Sequence, residues 1–324
     1  MRKFSIIIPV YNRPQELDEL LATLTLQNYS SFEVLVIDDG STVLSDEVVH
    51  KYEQQLNIKY FYKENSGQGF TRNFGFEKST GDYFIILDSD VLVPENYLTI
   101  VNEAIDKDGL DAFGGPDKEH PSFTPVQKAI SYAMTSLYTT GGIRGHQKRL
   151  AAFHPRSFNM GLSREVYSRC CGFIITRMAE DLEFSIRIIE AGFKVGLIPE
   201  AYVFHKRRTS FSQFFKQLMF FGRGRINVWR YFPQELKIVH TFPVFFLLAF
   251  LIMLVMPFIN LTLFLLIFMA FLIYFVLIIV DSYKKFRDLK LAGMCVLASF
   301  IQLTAYGIGF IYESFLHIFG KKIV

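Results

Sequence analysis

Charged side chains are missing from one long part of this sequence. Residues 241–280 contain no Asp, Glu, Lys or Arg, and a second uncharged run covers residues 291–312. The core of a soluble domain does not need an uncharged stretch of this length, whereas two bilayer spans of about 20 residues each do. The pattern excludes a single soluble domain and predicts about 240 residues of soluble protein followed by a membrane anchor.

Cysteine is scarce, and its placement excludes two kinds of site. Cys170 and Cys171 are adjacent, and Cys295 lies in the apolar region. They do not have metal-ligand spacing, and a disulfide framework is not expected. A P-loop motif is also absent from the sequence, so phosphates are not expected in a glycine loop of that type. The net charge of +3 is too small to indicate a nucleic-acid polymer as a partner.

The N-terminal sequence MRKFSIIIPVYN lacks the features of a signal peptide. Its apolar core, Phe4–Val10, is short and contains Pro9, and no small-residue cleavage site follows. We therefore expect the soluble part to stay in the cytosol.

Short β-rich apolar runs alternate with helical patterns over the first 115 residues, and a second such unit follows residue 156. This alternation predicts an α/β fold with a doubly wound, mostly parallel, Rossmann-like sheet. The predicted strands are 4–10, 32–37, 58–62, 83–87, 111–114, 157–162, 194–198 and 201–204. The predicted helices are 14–27, 43–55, 69–78, 94–107, 164–170 and 179–190.

The segment 116–156 interrupts the alternation. It contains four of the eleven prolines and the polar sequence TTGGIRGHQKR. We therefore expect a mobile flap or a substrate loop in this segment.

Acidic residues follow two of the predicted strands. Asp38 and Asp39 end the second strand, and Asp88 and Asp90 end the fourth. Ligands of an open parallel sheet bind at the carboxyl ends of its strands. An extended chain through this region would point Asp88 and Asp90 to one side, where two carboxylates repel unless a cation lies between them. The pattern favours Mg²⁺ or Mn²⁺ bound with substrate phosphates, and the alternative is a solvated turn.

Four blocks of the sequence, taken in order, resemble the motifs of a family 2 glycosyltransferase with the GT-A fold. They are SIIIPVYNRP, VLVIDDGST, NSGQGFTRNFGFEKSTGDYFIILDSD and MAEDLEFSIRIIEAGFK, and the resemblance covers about residues 4–208. The sequence FNMGLSREVYSRCCGF also resembles the acceptor-side block of that family. The resemblance implies an enzyme that transfers a sugar from a nucleotide diphosphate sugar.

The resemblance also implies roles for single residues. Asp181 matches the general base, with Glu180 as its neighbour, and Asp90 matches a direct metal ligand. His205 matches a histidine that completes the metal site in some relatives. Asp88 matches the first aspartate of the DxD motif, which contacts both the donor and the metal. The residues that match donor-binding positions are Pro9, Tyr11, Asn12, Asp38, Asp39, Arg72, Asn73, Asp88 and Ser89.

The residue types agree with this chemistry. A bound divalent cation acts as a Lewis acid on the leaving diphosphate, and one carboxylate suffices to accept the proton of an attacking hydroxyl. Direct attack inverts the anomeric centre, in agreement with the single candidate base Asp181. The alternative for Glu180 and Asp181 is a structural role at a helix N-terminus, where acids are favoured by the dipole. Arg72 as a surface residue and His205 in a basic surface patch are the alternatives for those residues.

The segment before the membrane part is basic and aromatic. Residues 206–230 contain seven Lys or Arg and no Asp or Glu. Its aromatic and leucine residues have helical spacing, which predicts an amphipathic helix on the anionic cytoplasmic leaflet; a soluble helix packed on the sheet is the alternative. The sequence QLMFFGRGR distantly resembles a Gln–Arg–Trp motif of membrane polysaccharide synthases, which implies that Arg223 and Arg225 contact the donor diphosphate. The residues that form the aromatic face are Phe211, Phe214, Phe215 and Leu218.

The membrane part predicts a topology. Pro257 and Asn260 divide the apolar run into two spans, and the following loop DSYKKFRDLK is basic. Basic loops mark the cytoplasmic side, which agrees with a cytosolic catalytic domain. The third segment, up to about residue 317, contains Gly307 and Gly309, which suit helix packing. It is expected to span, with a partly inserted or tilted segment as the second choice.

The sequence therefore predicts a glycosyltransferase domain at 1–208, with a nucleotide-sugar half (1–115) and an acceptor half (116–208). An amphipathic interfacial segment (209–240) and an anchor of two to three transmembrane helices (241–318) follow. The predicted enzyme is an inverting, metal-dependent glycosyltransferase of the inner (plasma) membrane. The expected donor is a UDP-linked nucleotide sugar, and the expected acceptor is a hydroxyl of a glycan or of a lipid-linked oligosaccharide, for cell-surface polysaccharide synthesis. The alternatives are a polyprenyl-phosphate glycosyltransferase, a processive synthase and a catalytically silent scaffold.

Overall fold

The computed structural model describes residues 1–120, 122–140 and 153–320. The chain forms two compact units: the first combines Met1–His120 with Ala151–Lys206, and the second combines Pro121–Leu150 with Arg207–Val324. The segment 121–150, which the sequence assigns to the acceptor half, thus groups with the C-terminal part of the chain.

Strands and helices alternate through the first unit. Its described strands are β1 (Phe4–Val10), β2 (Phe32–Asp38), β3 (Ile58–Tyr62), β4 (Tyr83–Leu87), β5 (Val91–Leu92), β6 (Ala112–Gly114), β7 (Asp117–Lys118), β8 (Asn159–Ser163), β9 (Val195–Leu197) and β10 (Val203–His205). Its described helices are α1 (Pro14–Leu24), α2 (Asp46–His50), α3 (Gln68–Lys78), α4 (Tyr97–Asp108), α7 (Arg164–Cys170) and α8 (Glu180–Glu190). The second unit contains α5 (Pro125–Thr135), α6 (Leu137–Thr140), α9 (Phe211–Tyr231), α10 (Phe242–Val255), α11 (Leu261–Phe286) and α12 (Leu289–Ile318).

The central sheet confirms the predicted mostly parallel, doubly wound topology. In the described part of the chain it has seven strands in the order β3-β2-β1-β4-β8-β6-β9. Strands β1, β2, β3 and β4 are parallel to their neighbours among themselves, whereas β8 is antiparallel to both β4 and β6. The chain reverses its direction of winding between β1 and β4, and such a switch point is where α/β sheets bind ligands.

Both faces of the sheet are buried, as expected for strands covered by helices on both sides. Along β1, Ile6 and Ile8 pack into one apolar cluster and Ile7 into a second. The alternation follows the period of two along a strand. This rigid layer fixes the positions of the residues that follow β1, β2 and β4.

A second, smaller sheet positions the residues after β4. Its order is β5-β10-β7, and antiparallel pairing sets His205 of β10 opposite Val91 of β5. A residue at the end of the first unit is thereby brought beside the acidic segment that follows β4.

The predicted helix 43–55 is wrong in length, since only Asp46–His50 is helical. Thr42 and Val43 donate their backbone N–H groups to the side chain of Asn12, at 2.8 and 2.9 Å, which holds the chain in a loop. After the helix, Tyr52 donates its hydroxyl to Asp18 at 2.8 Å, and turns replace the helix there.

The expected flap 116–156 is also corrected in its described part, which contains α5. Thr124 and Gln127 form a capping box around the N-terminus of this helix, and Pro125 occupies its first turn. The spacing T-x-x-Q followed by an apolar run is a sequence signature of a helix start. The sequence TTGGIRGHQKR lies mostly outside the described residues.

The second unit contains three helices that are long and apolar enough to cross a membrane, among the described residues. They cover Ile238–Phe258, Leu261–Phe286 and Leu289–Ile318. The division of the apolar run near residues 256–260 is confirmed. The predicted amphipathic helix is also present as α9. Its apolar face packs against other helices, since Phe214 and Leu218 belong to a buried cluster with residues of α5, α11 and α12.

Helices α9 and α12 touch through glycines. A Cβ atom on Gly222 would lie 2.1 Å from the carbonyl oxygen of Tyr306, and one on Gly309 would lie 2.0 Å from that of Met219. Any larger residue would force the backbones apart. The predicted packing role of Gly307 and Gly309 is confirmed, because Gly307 likewise faces the Pro243 carbonyl at 2.6 Å from its Cβ position.

Candidate active site

The turn after β2 is held by its own acidic residues. Asp38 is fully buried, and its carboxylate accepts hydrogen bonds from the Ser41 N–H at 2.8 Å and the Tyr60 hydroxyl at 2.7 Å. Asn12, at the end of β1 and with a φ of 54°, accepts from the backbone of the same turn. These contacts join the ends of β1 and β2 into one surface. Pro9 lies within β1, and Tyr11 is exposed beside the turn.

Asp39 organises the loop that leads into α3. Its carboxylate accepts from Lys63 Nζ at 2.8 Å and from the N–H groups of Ser66 and Gly67, both at 2.9 Å. Burial raises the pKa of Asp39, but the hydrogen bonds and the charge of Lys63 outweigh it and hold the pKa below its usual value. Asp39 is therefore an ionised residue at this edge of the sheet.

The acidic pair after β4 lies in a turn. The Val91 N–H donates to the Asp88 carbonyl at 3.3 Å. The chain therefore turns at Ser89, whereas the sequence pattern predicts an extended chain there. The turn and the metal site are thus compatible readings of the same residues. Ser89, between the two acids, is buried.

Asp88, Asp90 and His205 together can hold a metal ion. Each offers a ligand atom, and these atoms lie within 4.8 Å of one another. His205 Nε2 lies 3.2 Å from Asp90 Oδ1, and its Nδ1 is buried without a hydrogen-bond partner in the described structure. Two carboxylates and one imidazole form a donor set that suits Mn²⁺ and similar divalent ions. The residues present therefore fit a divalent cation.

Arg13 is a site residue that the sequence reasoning missed. Its Nη1 donates to Asp90 Oδ2 at 2.7 Å, so a cation already faces the predicted metal ligand. The residue directly follows the turn at the end of β1. A basic residue at the carboxyl edge of the central strand was the signal that could have identified it.

Arg72 connects the two acidic motifs. It is almost completely buried, and its guanidinium donates to Asp88 Oδ1 at 2.9 Å and to Glu180 Oε1 at 2.8 Å. Gln68, one turn earlier in α3, donates to the same Glu180 oxygen. The surface alternative for Arg72 is wrong. Its neighbour Asn73 binds the backbone N–H and carbonyl of Phe173, both at 2.8 Å, and so fixes the loop before α8.

The two acids at the start of α8 have different surroundings. Glu180 is buried, and burial together with the nearby Asp181 outweighs Arg72 and raises the pKa of Glu180 to about 7. Asp181 is partly exposed, accepts from the Leu182 N–H at 2.8 Å and faces Arg156 Nη1 at 3.4 Å. Of the two, Asp181 is the carboxylate that a substrate can reach.

The backbone before these acids is strained. Met178 and Ala179 have φ values of 61° and 68°, in the left-handed region that residues with a Cβ rarely adopt. Two consecutive residues of this kind each cost free energy, and such strain concentrates at functional sites. The strain sets the direction in which α8 presents Glu180 and Asp181.

Arg223 and Arg225 lie in α9 of the second unit. Arg223 Nε lies 2.9 Å from Glu313 Oε2 of α12, and Arg230 Nη2 lies 2.9 Å from Glu313 Oε1. Arg225 is half-buried in the same helix. The pairing of Glu313 with α9 was not apparent from sequence patterns.

Known proteins resemble the chain at the level of its family. The family model for glycosyl transferase family 2 matches residues 5–170. A glycosyltransferase of Rickettsia conorii, itself described as uncharacterized, is 40% identical over 98 residues, which are 30% of this chain and 16% of that protein. The poly(ribitol-phosphate) beta-N-acetylglucosaminyltransferase TarS of Staphylococcus aureus is 35% identical over 160 residues, covering 43% of this chain and 28% of TarS. The chain thus spans less than a third of either relative.

A solved structure has a similar fold over the length of the chain. The mannosyltransferase PcManGT from Pyrobaculum calidifontis, in complex with GDP-Man and Mn²⁺, matches with a TM-score of 0.60 and 16% identity. The match covers 99% of this chain and 88% of that protein. The motif blocks, the mixed sheet with acids at its carboxyl edge and the family model agree, and the chain belongs to glycosyl transferase family 2.

Proposed function

We propose that the protein is an inverting, metal-dependent glycosyltransferase. It transfers a sugar from a nucleotide diphosphate donor, UDP-linked in our proposal, to a hydroxyl of a glycan or of a lipid-linked oligosaccharide. The reaction takes place at the cytoplasmic face of the plasma membrane and contributes to cell-surface polysaccharide.

The observation that carries this proposal is the bridge through Arg72. Its guanidinium joins Asp88 of the predicted metal and donor site to Glu180 beside the predicted base. The two acidic motifs are 92 positions apart, from Asp88 to Glu180, in the sequence. One buried cation sets their relative position, as a reaction requires when the donor lies at one motif and the acceptor at the other.

Asp181 accepts the proton in this account. The acceptor hydroxyl oxygen forms a bond to the anomeric carbon while the bond from that carbon to the diphosphate oxygen breaks, and the hydroxyl proton passes to Asp181. Asp181 suits this role because it is partly exposed, whereas Glu180 is buried and engaged by Arg72 and Gln68. One displacement inverts the anomeric centre, so a second carboxylate nucleophile is not needed.

Asp88, Asp90 and His205 would hold the divalent cation, which supplies Lewis-acid stabilisation of the leaving diphosphate when bound. The turn at Asp38 and Asp39, together with Asn12, offers the surface for the nucleotide. Arg13 keeps Asp90 oriented through its 2.7 Å contact. These residues bind and orient the donor without taking part in the proton transfer.

The relatives support the finer parts of the proposal. The printed name of TarS describes transfer of N-acetylglucosamine to poly(ribitol-phosphate), which supports a hydroxyl-bearing polymer as the acceptor class. The Mn²⁺ of the mannosyltransferase structure makes Mn²⁺ the first ion to test. The apolar helices support a place at a membrane, and the basic residues Lys284, Lys285 and Arg287 at the end of α11 support a cytosolic catalytic unit.

A donor panel tests the proposal. The full-length protein, in detergent or in membranes, is given UDP-, GDP- and other nucleotide sugars with candidate glycan and lipid-linked acceptors, and released nucleotide is measured with Mn²⁺ and with excess chelator. The proposal predicts release with a UDP-sugar that requires both Mn²⁺ and an acceptor. A scaffold without activity would release no nucleotide under any condition, and release with a phosphate-terminated lipid alone would favour a polyprenyl-phosphate enzyme.

A further inference from the structure

Helix α12 differs from the other two apolar helices in its surroundings. In the most apolar 18 residues of the segments Ile238–Phe258 and Leu261–Phe286, 11% of the residues are buried, whereas 56% are buried in those of Leu289–Ile318. Four polar residues of α12 are also buried, including a carboxylate, at Ser299, Gln302, Thr304 and Glu313. A third span of a small anchor should instead expose apolar side chains to lipid over much of its surface.

Helices α10 and α12 run in opposite directions where they touch, which does not fit a bundle of three successive spans. Successive spans cross in alternating directions, so the first and third must run in the same direction. Here Pro243, at the start of α10, lies against Gly307, and further along α10 the ring centre of Phe250 lies 4.9 Å from that of Phe300. As the residue numbers rise along α10, those of the contacted residues of α12 fall, so the two helices are antiparallel.

Helix α9 follows the second half of α12 in the same direction. Met219 faces Gly309, Arg223 pairs with Glu313, and Arg230 Nε lies 3.2 Å from His317 Nδ1. If this half of α12 crossed the hydrocarbon core, α9 would have to enter it as well. Helix α9 carries four cations and no acidic residue, and cations in a bilayer core are costly. The cations of α9 are Lys216, Arg223, Arg225 and Arg230.

A stripe of exposed residues along the second half of α12 is apolar, and its Tyr312 borders α9, with the Arg223 guanidinium 5.2 Å from the ring centre. The exposed residues follow the helical pattern i, i+1, i+4, i+7 and, after the helix, i+8, which is one stripe along the surface. A stripe of this kind on a helix whose other side carries charge is what an interfacial helix presents to the acyl chains. The stripe consists of Ile311, Tyr312, Phe315, Ile318 and Phe319.

We infer that α12 is an interfacial helix that lies on the membrane surface together with α5 and α9, and that α10 and α11 alone among the described helices cross the bilayer. The partner of this three-helix layer is an anionic lipid surface, which accommodates the cations of α9. Both ends of α12 then lie on the same side of the membrane as the basic last turn of α11, which contains Lys284 and Lys285. The sequence after α12 also contains two lysines, and the positive-inside rule favours them on that same side.

Cysteine labelling of the full-length protein tests this arrangement. Cys170, Cys171 and Cys295 are replaced by serine or alanine, and single cysteines are introduced as Ile259→Cys, Lys285→Cys and Phe319→Cys. These positions are exposed and lie at the tip of the α10–α11 hairpin, in the last turn of α11 and directly after α12. A membrane-impermeant maleimide is applied to intact cells and to inverted vesicles.

The inference predicts that positions 285 and 319 react from one side of the membrane and position 259 from the other. Reaction of position 319 from the side of position 259 would overturn it, because α12 would then be a third span. Reaction of all three positions from one side would overturn it as well, because the hairpin would not cross. The comparison holds for either orientation of the protein. Nucleotide release is measured separately, so a failure of the proposed enzyme activity leaves this test unaffected.

Discussion

Arg72 donates to Glu180 at 2.8 Å while its other nitrogen donates to Asp88 at 2.9 Å. The side chains of Arg72 and Glu180 are almost completely buried, whereas that of Asp88 is 32% exposed. A buried ion pair adds little to the stability of a protein relative to apolar residues packed in its place. The removal of one partner is costly, because it leaves an uncompensated charge in the interior. The bridge therefore acts mainly through geometry, and it ties the position of α8 to the segment after β4.

Arg72→Met should destabilise the first unit and abolish ordered placement of both acids. Above about pH 7, where Glu180 is ionised, we expect a loss of about 3–5 kcal/mol in the free energy of unfolding, because the buried Glu180 carboxylate loses its cation. Arg72→Lys retains the charge but cannot contact both carboxylates in the same geometry. It should therefore recover stability more than transfer activity. Chemical unfolding and nucleotide release measure the two effects.

The exposed ion pair of Arg169 and Glu165, with N···O at 3.7 Å, offers the matched control. Arg169→Met should change stability by less than about 1 kcal/mol. Equal effects of Arg72→Met and Arg169→Met would contradict the assigned bridge.

His205→Ala should weaken metal binding. With one of three candidate ligands removed, the Mn²⁺ concentration needed for half-maximal nucleotide release should rise by at least about 10–100-fold, the range seen when even the supporting residues of metal sites are changed. His50→Ala, at an exposed histidine of α2, serves as the control and should leave the metal requirement unchanged. An unaltered Mn²⁺ requirement in His205→Ala would remove His205 from the metal site.

The raised pKa of Glu180 predicts a pH dependence of stability. Between about pH 4.5 and about pH 7 the folded protein holds a proton on Glu180 that the unfolded chain has released. The unfolded state then binds fewer protons, so stability falls as pH rises through this window, by on the order of 3 kcal/mol. Glu180→Gln, which stays neutral, should lack this decline when unfolding is measured in the absence of metal.

Glu77→Gln, at an exposed position of α3, is the control for this measurement and should follow the wild-type profile. If the stability difference between the wild type and Glu180→Gln did not change between pH 4.5 and pH 7, Glu180 would have an ordinary pKa.

Two glycines of α12 should respond in opposite ways to the same substitution. A Cβ on Gly309 would lie 2.0 Å from the Met219 carbonyl, whereas nothing lies within 4 Å of one on Gly293. Gly309→Ala should therefore destabilise the second unit by about 1–3 kcal/mol through steric overlap. Gly293→Ala should be neutral or should stabilise the helix by up to about 1 kcal/mol. Thermal unfolding in detergent measures both, and equal effects would contradict close contact of α9 and α12.

The central strands and their acidic ends were predictable because the signal is local. Runs of apolar residues define β1, β2 and β4; Asp38 is the last residue of β2, and Asp88 directly follows β4. The pairing of His205 with Asp90 is not local, since it depends on the antiparallel contact of β5 and β10 across more than a hundred residues. The resemblance to a family predicted that His205 belongs to the metal site with Asp90, and the periodicity of the sequence alone did not.

Tertiary contacts explain the elements that sequence patterns missed. The Asn12 side chain accepts hydrogen bonds from the backbone N–H groups of Thr42 and Val43. This segment is therefore held in a loop, and the helix begins only at Asp46. The role of Arg72 was likewise hidden, because a single arginine on a helix is ordinarily a surface residue, and only the position of α8 shows what it contacts. Helix α5 was a different kind of miss, since the capping signal of Thr124 and Gln127 is local and was available in the sequence.

The assignment of Asp181 as the base is the central claim. Asp181→Asn keeps the size of the side chain and its contact with the Leu182 N–H but cannot accept the proton at neutral pH. Asp108→Asn, at an exposed residue that ends α4, is the matched control. Donor affinity is measured by binding, and sugar transfer is measured separately in single turnovers.

The most direct measurement is the single-turnover rate of sugar transfer by Asp181→Asn with donor and acceptor both saturating. The account predicts a fall of about 10²–10⁴-fold, with donor affinity unchanged and with Asp108→Asn at the wild-type rate. Transfer by Asp181→Asn at the wild-type rate would contradict the account.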